Sequence, residues 1–502
     1  MTDTTIERVV RPELEHSYAE DIPQLSVRWR AEQAPSPFLV ATNDALAGEL
    51  GIEPGFLRSP EGLSFLSGQL PDAADGGAAT YAQAYSGHQF GQFNPQLGDG
   101  RALLIGEVID RAGDRRDLHL KGTGRTPFSR SGDGKAPLGP MLREYLVGEA
   151  MHALGIPTTR GLGVVLTGQE VMRRGREPGA IFTRVAASHL RVGTFQFAAV
   201  HRPMEVRRAL ADYAIARHWP AAADAENPYL ELLRSVTHAQ AELIAQWMLV
   251  GFVHGVMNTD NMTISGEGID YGPCAFIDTF RRASVFSSID QTGRYAYRNQ
   301  PAIGLWNLSR FAETLVDLID ASDPDAAVES LTQVLYEFEP AYDAAVARGM
   351  AAKLGIGLPE PEAENGSEAL GQIRAFTERT LDLLEAQEAD FTLFFRALTA
   401  GTPEELIHDD DALGSWSAER DELLQRWSGG AADVALMQRS NPVYIPRNHH
   451  LESALQRAEG GDLDDFHRLL AAVRDPFRQR PEWAGLEGPG EASSAFVTFC
   501  GT

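Results

Sequence analysis

Asp260 and Asn261 stand side by side in His254-Gly-Val-Met-Asn-Thr-Asp-Asn261, and Asp270 follows ten residues after Asp260 in Ile-Asp-Tyr-Gly-Pro. A carboxylate beside an amide, with a second carboxylate close behind, is the equipment that phosphate chemistry needs. Phosphoryl and nucleotidyl groups carry charge that a divalent cation must neutralise, and an attacking hydroxyl needs a proton acceptor. The catalytic loop of protein kinases and the Asp that follows it obey the same logic at a longer spacing. Oxygen ligands of this kind suit magnesium or manganese, and no His/Cys cluster with zinc spacing occurs. His254 is read as ordering the loop rather than binding metal. The competing reading is a capped polar turn, in which Asp and Asn are common, but an adjacent Asp-Asn beside a loop His, with a second Asp before Gly-Pro, is an uncommon combination.

Phosphate also needs cations. Lys121 ends the alternating stretch Asp117-Leu-His-Leu-Lys121, so Leu118 and Leu120 face one side of a strand while His119 and Lys121 face the other. A phosphate-binding lysine is braced by a carboxylate on a helix, and Glu144 and Glu149 both compete for that place. Five residues turn a helix through about 500°, so the two point roughly 140° apart and cannot both serve. Arg184 and Arg191 lie seven apart, a spacing that returns to one face of a helix and would clamp a triphosphate. Gly98-Asp-Gly-Arg101 and Gly132-Asp-Gly-Lys135 can cradle phosphate through backbone N–H groups. Each can equally be a solvated hairpin turn. Neither is a Walker loop, because Ser129 replaces its leading Gly and Ala136 its Ser/Thr. Gly161-Leu-Gly163 lacks the third glycine of a dinucleotide fingerprint.

These residues need elements to position them. An apolar helical run, Ala241 to Phe252, leads into the His254 loop. Two short strands are expected to flank Gly266-Glu-Gly268, with Asp270 ending an extended piece. Upstream, residues 102–109 and 117–121 read as strands and a glycine-punctuated loop follows. A helix is expected over 140–154, begun by Pro140 and closed by Gly155, and strands over 163–166 and 180–185. That order is not an alternation of strand and helix, which argues against a doubly wound sheet. Residues 190–255 read as mainly helical, and amphipathic helices are expected over Leu305–Asp320, Ala326–Gly349 and Ser367–Glu385. The expected fold class is α+β, a β-rich half before a helical half with a cleft between. The units are an N-terminal extension over 1–80, a β-rich nucleotide-binding lobe over 81–200, a helical catalytic lobe over 201–400 and a C-terminal extension over 401–502. That last unit carries an ordered-looking patch at Asn441–Asn448 and ends in a cysteine-containing tail.

The chain has 502 residues and a net charge of −26. A surface of that sign repels nucleic-acid phosphate and anionic membrane, so neither is an expected partner, and a nucleotide site must supply its own positive field. Two cysteines, Cys274 and Cys500, are too few for a disulfide framework, and a reducing cytoplasm is the expected compartment. Cys274 is expected to be buried and Cys500 to be a terminal thiol. The first residues show no signal or transit pattern, and no apolar run is long enough to span a membrane.

Several motifs in order carry a resemblance. They are Tyr85-Ser-Gly-His-Gln-Phe-Gly, Gln96-Leu-Gly-Asp-Gly-Arg, Asp117-Leu-His-Leu-Lys-Gly, Ser131-Gly-Asp-Gly, Arg143-Glu-Tyr-Leu, Gly155-Ile-Pro-Thr-Thr-Arg, Ser188-His-Leu-Arg, the His254 loop and Ile269-Asp-Tyr-Gly-Pro. Together they resemble the selenoprotein O family, densely over residues 81–310. The resemblance implies a protein-kinase-like two-lobe fold with N-terminal and helical C-terminal extensions. It implies ATP bound in a flipped orientation, Mg2+ or Mn2+, and transfer of AMP to Ser, Thr or Tyr hydroxyls of proteins, the enzyme itself included, with uridylyl transfer under manganese as a further activity. On it, Gly98, Gly100, Arg101, Lys121, Asp133, Gly134, Arg184, Arg191 and Asp270 would bind the nucleotide. Glu144, not Glu149, would pair with Lys121. Asp260 would accept the proton, and Asn261 with Asp270 would hold the metal. Cys500 would be the redox candidate, though the two residues after it, Gly-Thr, depart from the family's Ser-Ser. The physical reading alone does not separate AMP transfer from a conventional kinase reaction, or from a nucleotide-binding scaffold that has no need of a base.

Overall fold

The computed structural model describes residues 11–498 apart from 74, 78, 174, 360–362, 364 and 491–495. The chain is mixed α/β, organised on one antiparallel sheet. Its strands run in the order Ser26–Arg28, Tyr81–Gln83, Ala102–Ile109, Arg115–Lys121, Arg176–Ala186, Arg160–Met172 and Phe38–Thr42, with Ala136–Pro137 also on Arg176–Ala186. Every pairing is antiparallel. Two strands from the first 80 residues are therefore part of the sheet itself.

Both faces of the sheet are covered. Leu118 and Leu120 join a core built with Leu46, Phe56, Leu57, Phe65 and Leu66 from the short helices Asp44–Glu49, Pro54–Leu57 and Pro60–Leu66. Asn43 and Ser59 cap two of these helices by accepting from Leu46 N and Gly62 N. His119 and Lys121 lie on the opposite face, toward the helix Leu138–Ala153. The alternation read from residues 117–121 thus separates two buried faces, not an inside from an outside.

The rest of the described chain is mostly helical. Pro228–Leu249 packs on Gln300–Ile319 and Phe338–Leu354. The single helix expected over Ala326–Gly349 is two, Pro324–Leu335 and Phe338–Leu354. Pro340 has no N–H to donate and would clash with the carbonyl four residues back, so the chain restarts with proline in a first turn. The strands expected beside Gly266 are also absent. The ladder is Phe252–Val253 with Ala275–Phe276, and the intervening loop makes only single bridges, Thr263 to Arg191 and Gly268 to Thr158. Gly266 (φ 80°) and Asp270 (φ 63°) interrupt any extended run, so Asp270 sits in a left-handed turn and not at the end of a strand.

The C-terminal helices Asn448–Glu459 and Asp464–Arg474 return to pack on Leu138–Ala153. The 441–448 patch is buried, and Arg447 is fully enclosed between Asp278 (2.6 Å) and Asp390 (2.7 Å). No helix among the described residues is long and apolar enough to cross a membrane.

Candidate active site

Lys121 Nζ forms an ion pair with Glu144 and donates to Asp270 Oδ1 at 2.6 Å. Glu149 is turned away, to Arg160 at 2.6 Å and Arg474 at 3.0 Å. Arg184 Nη1 donates to the same Asp270 oxygen at 2.9 Å. Arg184 lies within the strand Arg176–Ala186, and Arg191 is the N-cap residue of the helix Val192–His201. The two therefore do not share a helix face, as their spacing suggested. They converge because the chain turns between the strand end and the helix start. Arg191 lies 4.4 Å over the Tyr85 ring and 3.8 Å from Asp99, and its Nε and Nη1 are buried without a hydrogen-bond partner among the described residues. Burial alone would raise the Asp270 carboxyl, but Lys121, Arg184 and Arg191 outweigh it and hold it well below the usual carboxylate range.

Asp260 occupies the turn Thr259–Asn261. Its Oδ2 accepts from Gln89 Nε2 at 3.2 Å, while Oδ1 is buried and has no partner among the described residues. Burial pushes this carboxyl up to about 6, against the pull of its own backbone N–H, Arg191 and Gln89. Its loop is held from several sides. His254 Nε2–H donates to Ile269 O at 2.8 Å, which leaves Nδ1 to accept from Val256 N at 3.4 Å. Gln300 accepts from His254 N and donates to Phe252 O, each at 2.9 Å, and Asn307 donates to Met257 O at 3.0 Å. Asn261 donates its amide N–H to Val256 O at 3.0 Å, so its carbonyl oxygen is the end left for a cation.

The glycine loops close the same space. Gly134 has φ 71°, and a Cβ on it would lie 2.1 Å from the Gly124 carbonyl. Asp133 forms a two-pronged pair with Arg173, both bonds 2.9 Å, and that partner pulls its carboxyl down to about 2. Gly98, Gly100, Arg101, Lys121, Asp133, Gly134, Glu144, Arg184, Arg191, Asp260, Asn261 and Asp270 all line one cleft of about 730 Å3. Among the described residues no three acidic, His or Cys side chains gather as a metal cage.

A family model for "Protein adenylyltransferase SelO" matches residues 10–474. The chain belongs to that family. Relatives named "Protein nucleotidyltransferase YdiU" agree along nearly the whole length. That of Pseudarthrobacter chlorophenolicus is 54% identical over 496 residues, covering 97% of each chain. That of Mycolicibacterium paratuberculosis is 51% identical over 500 residues, covering 97% of this chain and 98% of the relative. One from Cereibacter sphaeroides is 52% identical over 499 residues, covering 97% and 99%. This SelO family member is accordingly a nucleotidyltransferase that acts on proteins.

Some lining residues escaped the sequence reading. Tyr85 and Gln89 sit in a stretch quoted only as a motif of the resemblance, with no role given to either, yet one stacks on Arg191 and the other donates to Asp260. Asp99 was visible only as a turn residue, although its side chain is buried against His119 at 2.9 Å. Arg173 carries no local signal at all. Cys500 lies outside the described residues, so no redox role is drawn for it. Cys274 is buried, donates to Tyr271 O at 3.2 Å, and has its thiol pushed up to about 12 by burial, which makes it an inert packing group.

Proposed function

We propose that the chain transfers AMP from ATP to Ser, Thr or Tyr hydroxyls of proteins, itself included. The observation that carries the reading is the meeting of three cations with Asp260, Asn261 and Asp270 in one cleft. A conventional two-lobe, kinase-like division fits the placement of that cleft, with sheet residues on one wall and the Asp260 loop on the other. The units 81–200, 201–400 and 401–502 are proposed on the same division, with residues 1–80 as an N-terminal extension that lends two strands to the sheet of the first lobe. A cytoplasmic setting is proposed from the low cysteine count.

In this reading the hydroxyl oxygen of the target attacks the α-phosphorus. Its proton passes to Asp260, whose raised carboxyl is suited to accept and later release it. An oxygen–phosphorus bond forms, the bond from the α-phosphorus to the bridging oxygen breaks, and pyrophosphate departs. Lys121, Arg184 and Arg191 neutralise the charge that builds on the departing group. Arg191 has donors to spare, since Nε and Nη1 make no hydrogen bond among the described residues. Glu144 keeps Lys121 extended toward the phosphates. Gly98, Gly100, Arg101, Asp133 and Gly134 line the part of the cleft that would receive the remainder of the nucleotide.

The donor set fits Mg2+ or Mn2+. Such ions are held by one or two carboxylates with substrate phosphates and water rather than by a full protein cage. Asp270 uses only Oδ1 for Lys121 and Arg184, which leaves Oδ2, and Asn261 has its carbonyl oxygen. A bound ion would supply charge neutralisation of the phosphates. Asp260→Ala tests the reading. ATP binding persists while transfer, including self-modification, stops. Undiminished transfer contradicts it.

A further inference from the structure

Behind the cleft lies a buried polar cluster that the proposed chemistry does not use. His119 and His189 stack with ring centroids 4.2 Å apart and planes 22° apart. Both are buried, on strand Arg115–Lys121 and in the turn after strand Arg176–Ala186. Each imidazole touches a carboxylate on one side and Arg184 on the other. His119 Nε2 is 2.9 Å from Asp99 Oδ2, and its Nδ1 is 3.5 Å from Arg184 Nη2. His189 Nδ1 is 3.0 Å from Asp117 Oδ2, and its Nε2 accepts from Arg184 Nε at 3.2 Å.

The proton positions follow from the partners. A carboxylate only accepts and a guanidinium only donates. The nitrogen facing each carboxylate must therefore carry the hydrogen, and the nitrogen facing Arg184 must be bare. His119 is the Nε2–H tautomer and His189 the Nδ1–H tautomer, both neutral. Burial pushes both imidazoles below their ordinary range, with Arg184 and Arg191 adding to the effect. The carboxylates are themselves fixed. Asp99 Oδ2 also accepts from Gln83 N at 2.9 Å, and Asp117 Oδ1 accepts from Arg217 at 2.6 Å.

We propose that His119 and His189 are positioning residues, whose bare nitrogens grip the Nε and Nη2 edges of Arg184 so that Nη1, which spends one N–H on Asp270 Oδ1, keeps its other N–H for the nucleotide phosphates. This rests on Arg184 being a phosphate ligand, as proposed above. A planar guanidinium held along two edges cannot rotate about its long side chain, so its remaining donors stay aimed at the cleft. Leucine in either place keeps the packing volume and removes the acceptor.

The test measures ATP and adenosine binding to the full chain by calorimetry, with thermal midpoints as a control. Arg184→Ala weakens ATP by roughly ten- to a hundredfold and leaves adenosine unchanged. His189→Leu weakens ATP by about tenfold, again sparing adenosine. His189→Gln puts an oxygen acceptor near the place of Nε2 and restores most of the affinity. In an Arg184→Ala background, His189→Leu costs nothing further. His119→Asn and His119→Leu give the same contrast through the Nδ1 position if His189→Leu fails to fold. Additive losses in the double variant, or Gln no better than Leu, overturn the inference. If Arg184→Ala leaves ATP affinity intact, the phosphate role of Arg184 is wrong and the inference falls with it, whereas AMP transfer itself is decided separately by Asp260→Ala.

Discussion

Lys121 Nζ and Asp270 Oδ1 lie 2.6 Å apart, joining the central sheet to the loop that follows the Asp260 turn. Glu144 holds the same ammonium from the helix behind it. Lys121→Ala therefore removes one of the charges that keep Asp270 ionised and, on the proposed function, a cation for phosphate. A lost hydrogen bond to a charged group costs about 1.5–3 kcal/mol. ATP affinity is expected to fall ten- to a hundredfold in calorimetric titration, and Lys121→Arg is expected to restore it only in part, because a fork does not fit a point-charge site.

Gly87 backs Asp260 so closely that a methyl group there would lie 2.5 Å from Asp260 Oδ1. The backbone of Gly87 is ordinary, so the constraint is space and not conformation. Gly87→Ala should displace the carboxylate, lower transfer by at least tenfold, and leave ATP affinity within twofold of the parent. These figures follow from the sensitivity of catalysis to displacements of about 1 Å. Steady-state transfer measured beside equilibrium binding separates the two effects.

Arg447 is enclosed with Asp278 and Asp390, tying the 441–448 patch to the segment after the strand Ala275–Phe276 and to the start of the helix Phe391–Ala400. Removing Arg447 leaves two half-buried carboxylates facing each other uncompensated, at a cost of up to about 3–5 kcal/mol. Arg447→Ala is expected to lower the urea midpoint sharply, and Asp390→Asn in that background to recover part of the loss.

Lys353 is buried, with Nζ 4.2 Å from the Phe395 ring centre and no carboxylate paired to it among the described residues. Burial pulls its ammonium down to about 7 from 10.5. The unfolded chain thus binds the extra proton between those values, so stability rises with pH from about 7 to about 10.5. The cost of the buried charge is fully present below about 7. Lys353→Met should raise the thermal midpoint by a few degrees at pH 6, and the gain should shrink toward pH 10. A gain that does not vary with pH would point to packing alone.

Local periodicity made much of the fold legible. The strand Ala102–Ile109 was readable to its ends, and the helix expected over 140–154 runs from Leu138 to Ala153. The Lys121, Asp260, Asn261 and Asp270 group was legible because phosphate chemistry asks for those residue types near one another. What stayed hidden depends on partners far along the chain. Arg474 reaches Glu149 across 325 residues, and Gln89 reaches Asp260 across 171. Arg184 and Arg191 both line the cleft, but not as a pair on one helix face, because a spacing of seven says nothing when a strand end intervenes. His119 and His189 lay inside quoted motifs, yet their tautomers become readable only once Asp99, Asp117 and Arg184 surround them.

On the proposed function, the cleft offers the α-phosphorus of ATP to a protein hydroxyl. Parallel reactions with ATP labelled in the α or γ phosphate, followed by mass spectrometry of the modified peptides, test it most directly. Label is expected from the α position only, with an added AMP on Ser, Thr or Tyr and no label with Asp260→Ala. Label from the γ position, or AMP attached to a nitrogen side chain, would contradict it.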